Sequence, residues 1–142
     1  MADQAEDDET LAEAFWAVSR QLRHRSHESV APFGITPAQA RAIAVLRRYG
    51  SMRISALSEH LRIAPRSGTE VVDALQERGL VTRSPDPDDR RATQVTLSSA
   101  GEEVAEAVRR ARAAEADAFF DRLDESDRAT LARIIGALRS PG

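Results

Sequence analysis

Between Ser55 and Gly79 two helical patterns are separated by only three residues, and this leaves the chain few ways to fold. Ser55 is expected to cap a short helix over 56–61, and Arg62-Ile63-Ala64 make the turn. Pro65 suits the first position of a second helix, which is expected to run to about Arg78 and stop at Gly79. Val71, Val72 and Leu75 give that helix one apolar face. Two short helices joined so tightly form a helix-turn-helix. The period then changes. Leu80 to Ser84 has strand character, and Thr93-Gln94-Val95-Thr96-Leu97 alternates polar and apolar, the mark of a half-buried strand. Pro85-Asp86-Pro87-Asp88-Asp89-Arg90 between them is turn-rich and charged. A hairpin directly after a helix-turn-helix is a wing.

Helical patterns flank this unit on both sides. From Thr10 to about Ser29, Leu11, Phe15, Val18 and Leu22 recur at helical spacing. A loop over 29–35 follows, carrying Pro32 and Gly34. Thr36-Pro37-Ala38-Gln39 then opens a helix to about Arg48, with Thr36 and Gln39 able to form a capping box, and Ser51 to Ile54 reads as a short extended piece. After the wing, Ser98-Ser99 begins a long helix in which Ser99 and Glu102 are expected to form a second capping box. A last helix over about 126–138 places Leu131, Ile134, Ile135 and Leu138 on one face. One small wing unit cannot cover the apolar stripes at both termini, so a two-fold homodimer is expected, with Leu11, Phe15, Val18 and Leu22 meeting Ile134, Ile135 and Leu138.

Composition narrows the function. The 142 residues include no cysteine, which removes disulfides, thiolate nucleophiles and thiol redox sensing together. No apolar run approaches a membrane span, and Met1 to Glu9 is an acidic stretch without the features of a signal peptide. A frayed acidic tail and a cytoplasmic protein are therefore expected. Enzyme signatures are missing: there is no Gly-rich phosphate loop, no Gly-x-Ser-x-Gly and no His-Glu-x-x-His. His24 and His27 stand three apart, but no further His or Cys completes a metal site, and neither metal nor cofactor is expected.

The architecture itself points to nucleic acid. Two recognition helices related by a dimer axis can enter successive major grooves about 34–36 Å apart. Net charge argues the other way: it is −3 overall. Within 51–97, Arg53, Arg62, Arg66, Arg78, Arg83, Arg90 and Arg91 are balanced by Glu59, Glu70, Asp73, Glu77, Asp86, Asp88 and Asp89. DNA binding must then depend on arrangement, with arginines on the DNA face and Asp73 and Glu77 turned away.

Thr36 to Gly101 resembles the MarR (multiple antibiotic resistance regulator) family. Asp88-Asp89-Arg90-Arg91-Ala92-Thr93-Gln94-Val95-Thr96-Leu97-Ser98-Ser99-Ala100-Gly101 looks like that family's wing signature, Asp-x-Arg followed by a strand and then Leu-Thr/Ser-x-x-Gly. Leu75-Gln76-Glu77-Arg78-Gly79-Leu80-Val81 is similar to the end of its recognition helix, and Thr36-Pro37-Ala38-Gln39 to the entry of its second helix. The resemblance implies an obligate dimer and a wing-tip Arg91 that reaches the minor groove with Asp89 orienting it. It also implies a small-molecule pocket lined by the first helix, the second helix and the start of the long one, for which Trp16, Arg20, His24 and Phe33 are candidates. Arg20 could pair with an anionic ligand. The chain departs from the family pattern at Ala64, where a polar cap is usual, and at Glu70, where a basic residue is common.

The expected fold is mainly α with a small β-hairpin wing. Residues 1–35 form an N-terminal tail, dimerisation helix and loop, 36–97 a winged helix-turn-helix DNA-binding lobe, and 98–142 the C-terminal dimerisation helices. The candidate DNA-binding residues are Arg66, Ser67 and Thr69 near the start of the recognition helix, with Asp89, Arg90 and Arg91 at the wing. An ordinary polar helix face is the plainer reading of the first three, and core packing that of Trp16 and Phe33. The expected function is a DNA-binding transcription regulator, a repressor released from a pseudo-palindromic operator by a small molecule. A regulator without ligand control and a winged-helix protein-interaction module are the alternatives. The Asp89-Arg90-Arg91 signature favours DNA, because an interaction module has no need of a minor-groove arginine.

Overall fold

A computed structural model describes residues 8–142, so most of the expected acidic tail lies outside the described residues. The elements run α1 (Leu11–Val30), a 3-10 turn (Ala31–Phe33), α2 (Pro37–Tyr49), β1 (Met52–Arg53), α3 (Ile54–Leu61), α4 (Pro65–Glu77), β2 (Val81–Pro85), β3 (Thr93–Leu97), α5 (Ser99–Phe120) and α6 (Glu125–Arg139). They make two compact units, residues 27–112 and residues 8–26 with 113–142, whose boundaries fall within α1 and α5. The winged lobe expected over 36–97 lies inside the first of these units.

The unit of residues 27–112 is built around one apolar core. Ile43 of α2, Leu57 of α3, Val72 and Leu75 of α4, Val81 of β2 and Val95 of β3 are fully buried in it. The capping box at α2 is formed: the Thr36 side chain accepts from the Gln39 amide and the Gln39 side chain accepts from the Thr36 amide. The sheet is larger than a hairpin. Its order is β1-β3-β2, all antiparallel, because the short extended piece before α3 pairs Met52 with Val95 and Arg53 with Gln94.

Two helix starts differ from expectation. The chain passes straight from β1 into α3, so Arg53 holds the N-cap position and Ser55 lies inside the helix. At α5 the cap is Ser98 rather than Ser99. The Ser98 amide donates to the Leu80 carbonyl, which holds this residue extended at the end of the sheet. Its hydroxyl accepts from the Gly101 amide at 3.0 Å and donates to the Gly79 carbonyl at 2.6 Å. One side chain thus caps α5 and ties it to the turn that ends α4.

In the unit of residues 8–26 and 113–142, α6 starts on an Asp124 cap that accepts from the Asp127 amide at 2.7 Å. Phe119 is buried beneath the guanidinium groups of Arg25 and Arg122, 5.6 and 5.3 Å from its ring centre. Apolar side chains on this unit also face outward: Leu11 is 87% exposed, Phe15 55%, Trp16 59%, Ile134 43% and Leu138 74%. No helix of the described residues is long and apolar enough to cross a membrane.

Candidate nucleic-acid interface

The face that α4 presents is decided by what it buries. Gly68, Val72 and Leu75 turn inward, and Gly68 lies against Ser58 of α3. The opposite face carries Arg66, Thr69, Glu70 and Asp73, all exposed. Arg66 extends almost fully into solvent, 93% exposed, with Glu70 3.9 Å away one turn on. The Thr69 hydroxyl donates back to the Pro65 carbonyl at 3.1 Å, a common resting state for a helical threonine. Ser67 is half-buried, so of the three expected helix residues Arg66 and Thr69 stand furthest out.

The wing loop spans Asp86 to Ala92 and is closed by backbone bonds. The Asp86 amide donates to the Ala92 carbonyl, and the Ala92 amide to the Asp89 carbonyl, both at 2.9 Å. Arg90 and Arg91 project from this loop; the Arg91 side chain is 92% exposed. Asp89 Oδ1 accepts from both the Arg91 amide at 3.1 Å and the Arg91 Nε at 3.3 Å. The carboxylate therefore braces the guanidinium as Asp-x-Arg spacing suggests.

Asp86 and Arg53 were not among the expected site residues. Asp86 is 9% exposed and accepts from the Asp88 amide at 2.8 Å, the Asp89 amide at 3.3 Å and Arg53 Nε at 2.9 Å. The Arg53 guanidinium, followed by the Asp88 amide, holds the Asp86 carboxyl below its ordinary range. The tendency of Asp to bond amides two and three residues on could have flagged Asp86. Nothing local could have flagged Arg53, which is 33 positions away.

The balance of charge within 51–97 is met by pairing and not by turning the acids away, since Asp73 shares the exposed face of α4 with Arg66. Asp86 pairs with Arg53, Asp73 with Arg83, Asp89 with Arg91 and Glu70 with Arg66. Arg83 also donates to Gln76, so β2 is fastened to α4. Arg78, at the end of α4, has a structural part. Its Nη1 and Nη2 donate at 2.8 Å to the carbonyls of Gly34 and Phe33, closing the turn before α2. Gly34 holds the left-handed φ of 67° at the end of this turn, a conformation that glycine takes without strain.

A cavity of about 440 Å³ lies between α2 and α5, floored by Ala40, Ile43 and Val108 and rimmed by Arg47, Arg48, Arg109 and Arg112. Glu106 bonds Arg109, Arg110 and Arg47 at its edge. The hydrogen bonds from Arg109 and then Arg47 bring the Glu106 carboxyl down to about 2. Arg112 differs from its neighbours: its Nε is buried without a hydrogen-bond partner, and burial lowers its pKa from the ordinary value. Trp16, Arg20, His24 and Phe33 do not line this cavity. Phe33 packs against the core, while Trp16, Arg20 and His24 are exposed along α1. Among the described residues, no group of three or more His, Asp or Glu is arranged to hold a metal ion.

Comparison with known proteins agrees with this geometry. The MarR family profile matches residues 35–93, from the end of the turn before α2 to the first residue of β3. The chain is 28% identical over 137 residues to the HTH-type transcriptional repressor MdtR of Bacillus subtilis, covering 96% of this chain and 87% of that one. It is 37% identical over 102 residues to the HTH-type transcriptional regulator MT0903.1 of Mycobacterium tuberculosis, covering 72% and 68%. The reduced form of MarR from E. coli shares the fold with a TM-score of 0.81 at 22% identity, covering 93% of this chain and 98% of that one. An exposed recognition helix, a braced arginine wing and these likenesses lead to one assignment: the chain belongs to the MarR family and is a DNA-binding transcription regulator, not an enzyme.

Proposed function

We propose that this regulator is a homodimeric repressor that lets go of a pseudo-palindromic operator when a small anion with an apolar body enters the α2–α5 cavity. Arg66, Thr69 and, to a lesser degree, Ser67 read base edges in the major groove. Arg91, braced by Asp89, enters the minor groove, and Arg90 adds a phosphate contact. Exposure of Leu11, Phe15, Val18, Ile134 and Leu138 supports the dimer, since apolar side chains at such density ordinarily mark an interface. The naming of one relative as a repressor supports repression.

The observation that carries ligand release is the cavity's chemistry. Its floor is apolar, its rim cationic, and a buried Arg112 Nε has no partner. An unsatisfied buried donor is costly, and a carboxylate seated over Ile43 would satisfy it. The test is titration of aromatic carboxylates, and of their neutral amides, against the protein bound to an operator selected from genomic DNA. The carboxylates should weaken binding and the amides should not, and Arg112→Met should abolish the difference. Equal effects of acid and amide, or none of either, would leave a regulator without control by this cavity. Sedimentation showing a folded monomer at micromolar concentration would dispose of the dimer.

A further inference from the structure

The wing loop is tied to the start of the helix-turn-helix by a long-range ion pair. Arg53 is the last residue of β1 and the N-cap position of α3, so its backbone belongs to the start of the helix-turn-helix. In the sheet, Arg53 pairs with Gln94 and Gln94 with Ser84. Directly opposed residues project from the same sheet face, and so do residues two apart on a strand. That row therefore carries the Arg53 side chain across β3 to Asp86, two positions beyond Ser84. There Nε meets Asp86 Oδ2 at 2.9 Å, while Asp86 Oδ1 accepts the amides of Asp88 and Asp89. The Asp86 side chain is only 12% exposed. The wing loop that bears Arg90 and Arg91 is thus gathered around a carboxylate held from the far edge of the sheet.

We propose that Arg53 is a positioning residue for DNA recognition: acting through Asp86, it sets where the wing arginines stand relative to α4, and it does so without touching DNA. This rests on the reading that the wing contacts DNA. β1 has only two residues, and its place at the sheet edge puts Arg53 within reach of the loop. A loop fixed before binding need not be ordered at the moment of contact, which preserves affinity. Because one end of the pair is the start of α3 and the other is the base of the wing, it also fixes the spacing between major-groove and minor-groove contacts. Arg83, bonded to Asp73 and Gln76, anchors the base of β2 but does not reach the loop.

Charge gives the test its sign. The full chain and its Asp86→Asn, Arg53→Ala, Arg53→Lys and Arg91→Ala variants are titrated against a duplex selected by the parent from a random-sequence pool. Removing a carboxylate near a polyanion should tighten binding on electrostatic grounds alone. Positioning instead makes Asp86→Asn bind about tenfold more weakly, as loss of a groove-inserted arginine would. Arg53→Ala should weaken binding to a similar degree, and adding it to Arg91→Ala should cost little more, because both losses run through the same wing arginine, whereas loss of a DNA contact made by Arg53 itself would add in full. The variant carrying both Arg53→Ala and Asp86→Asn should be no worse than either single one, and Arg53→Lys, which can still pair with Asp86, should recover part of the loss. Asp86→Asn binding as well as or better than the parent overturns the proposal, as does an Arg53→Ala loss that adds in full to that of Arg91→Ala. If Asp86→Asn does not fold, the coupling of Arg53→Ala with Arg91→Ala and the Arg53→Lys recovery decide. If Arg91→Ala binds like the parent, the wing is no DNA contact, and the proposal falls together with that reading. If Arg91→Ala is weak and Asp86→Asn is not, the proposal falls alone.

Discussion

Gly68 of α4 and Ser58 of α3 touch so closely that a Cβ added to Gly68 would lie 1.9 Å from the Ser58 Oγ and 3.1 Å from its Cβ. The helix-turn-helix is packed through this point, with Ser58 nearly buried and its hydroxyl donating to the Ile54 carbonyl at 2.9 Å. Gly68→Ala should cost about 1–3 kcal/mol by overpacking. The clash is with one side-chain atom, so Ser58→Ala in the same chain should return part of the loss. Urea unfolding of both single variants and the double one measures the coupling, and additive losses would contradict the packing described.

Gly101 makes the contrasting case. A Cβ there would lie 2.0 Å from the Leu80 carbonyl oxygen, and that oxygen already accepts the Ser98 amide. Backbone cannot rotate away as a hydroxyl can. Gly101→Ala should therefore cost more than Gly68→Ala, roughly 3 kcal/mol, and truncating Leu97 should not repair it. The same unfolding series checks this.

Arg91→Ala should weaken operator binding by about 1–3 kcal/mol, tenfold to a hundredfold. Asp89→Ala should reproduce part of that loss, because Asp89 holds the Arg91 Nε at 3.3 Å and its amide at 3.1 Å. The loss should be greatest where the flanking minor groove is A·T-rich and narrow. Binding titrations at one fixed salt concentration test this, after circular dichroism confirms folding. Parent-like binding by both variants would remove the wing from the interface.

Arg78→Ala should lower stability rather than alter base preference. The two carbonyls of Phe33 and Gly34 lose their donor, at about 1 kcal/mol because water reaches them. The expected outcome is a lower urea midpoint, with an unchanged ranking of operator variants when binding is measured well below the melting temperature. A changed ranking with unchanged stability would place Arg78 at the DNA instead.

Glu106 gives a pH dependence of definite sign. Its carboxyl sits at about 2 in the folded chain, against an ordinary value of 4.5, because Arg109 and then Arg47 bond its charged form. The stabilisation is therefore complete above pH 4.5 and is lost as pH falls from there towards 2. Glu106→Gln should flatten this part of the stability curve relative to the parent. Paired unfolding curves across that range decide, and parallel acid limbs would show that the ion pairs contribute nothing.

What could be read along the chain was whatever local chemistry controls. Thr36 and Gln39 form their capping box, Pro65 opens α4, and Thr93 to Leu97 is the strand that its alternation indicates. Asp89 and Arg91 are two residues apart, so their contact was also within reach of spacing. Ser55 and Ser98 mark the limit of such reasoning. Both could cap a helix, but the choice was made by β1 pairing with β3 and by Leu80 holding the Ser98 amide. The remaining features depend on residues far apart in sequence. Arg53 meets Asp86 across 33 positions, Arg78 meets Gly34 across 44, and Arg112, whose buried Nε has no hydrogen-bond partner, lines a cavity shared by α2 and α5. A guanidinium can bond any carboxylate or carbonyl that comes within reach. Its partner is chosen by the backbone that carries both groups together, and in this chain that choice belonged to the packing of the sheet against the helices.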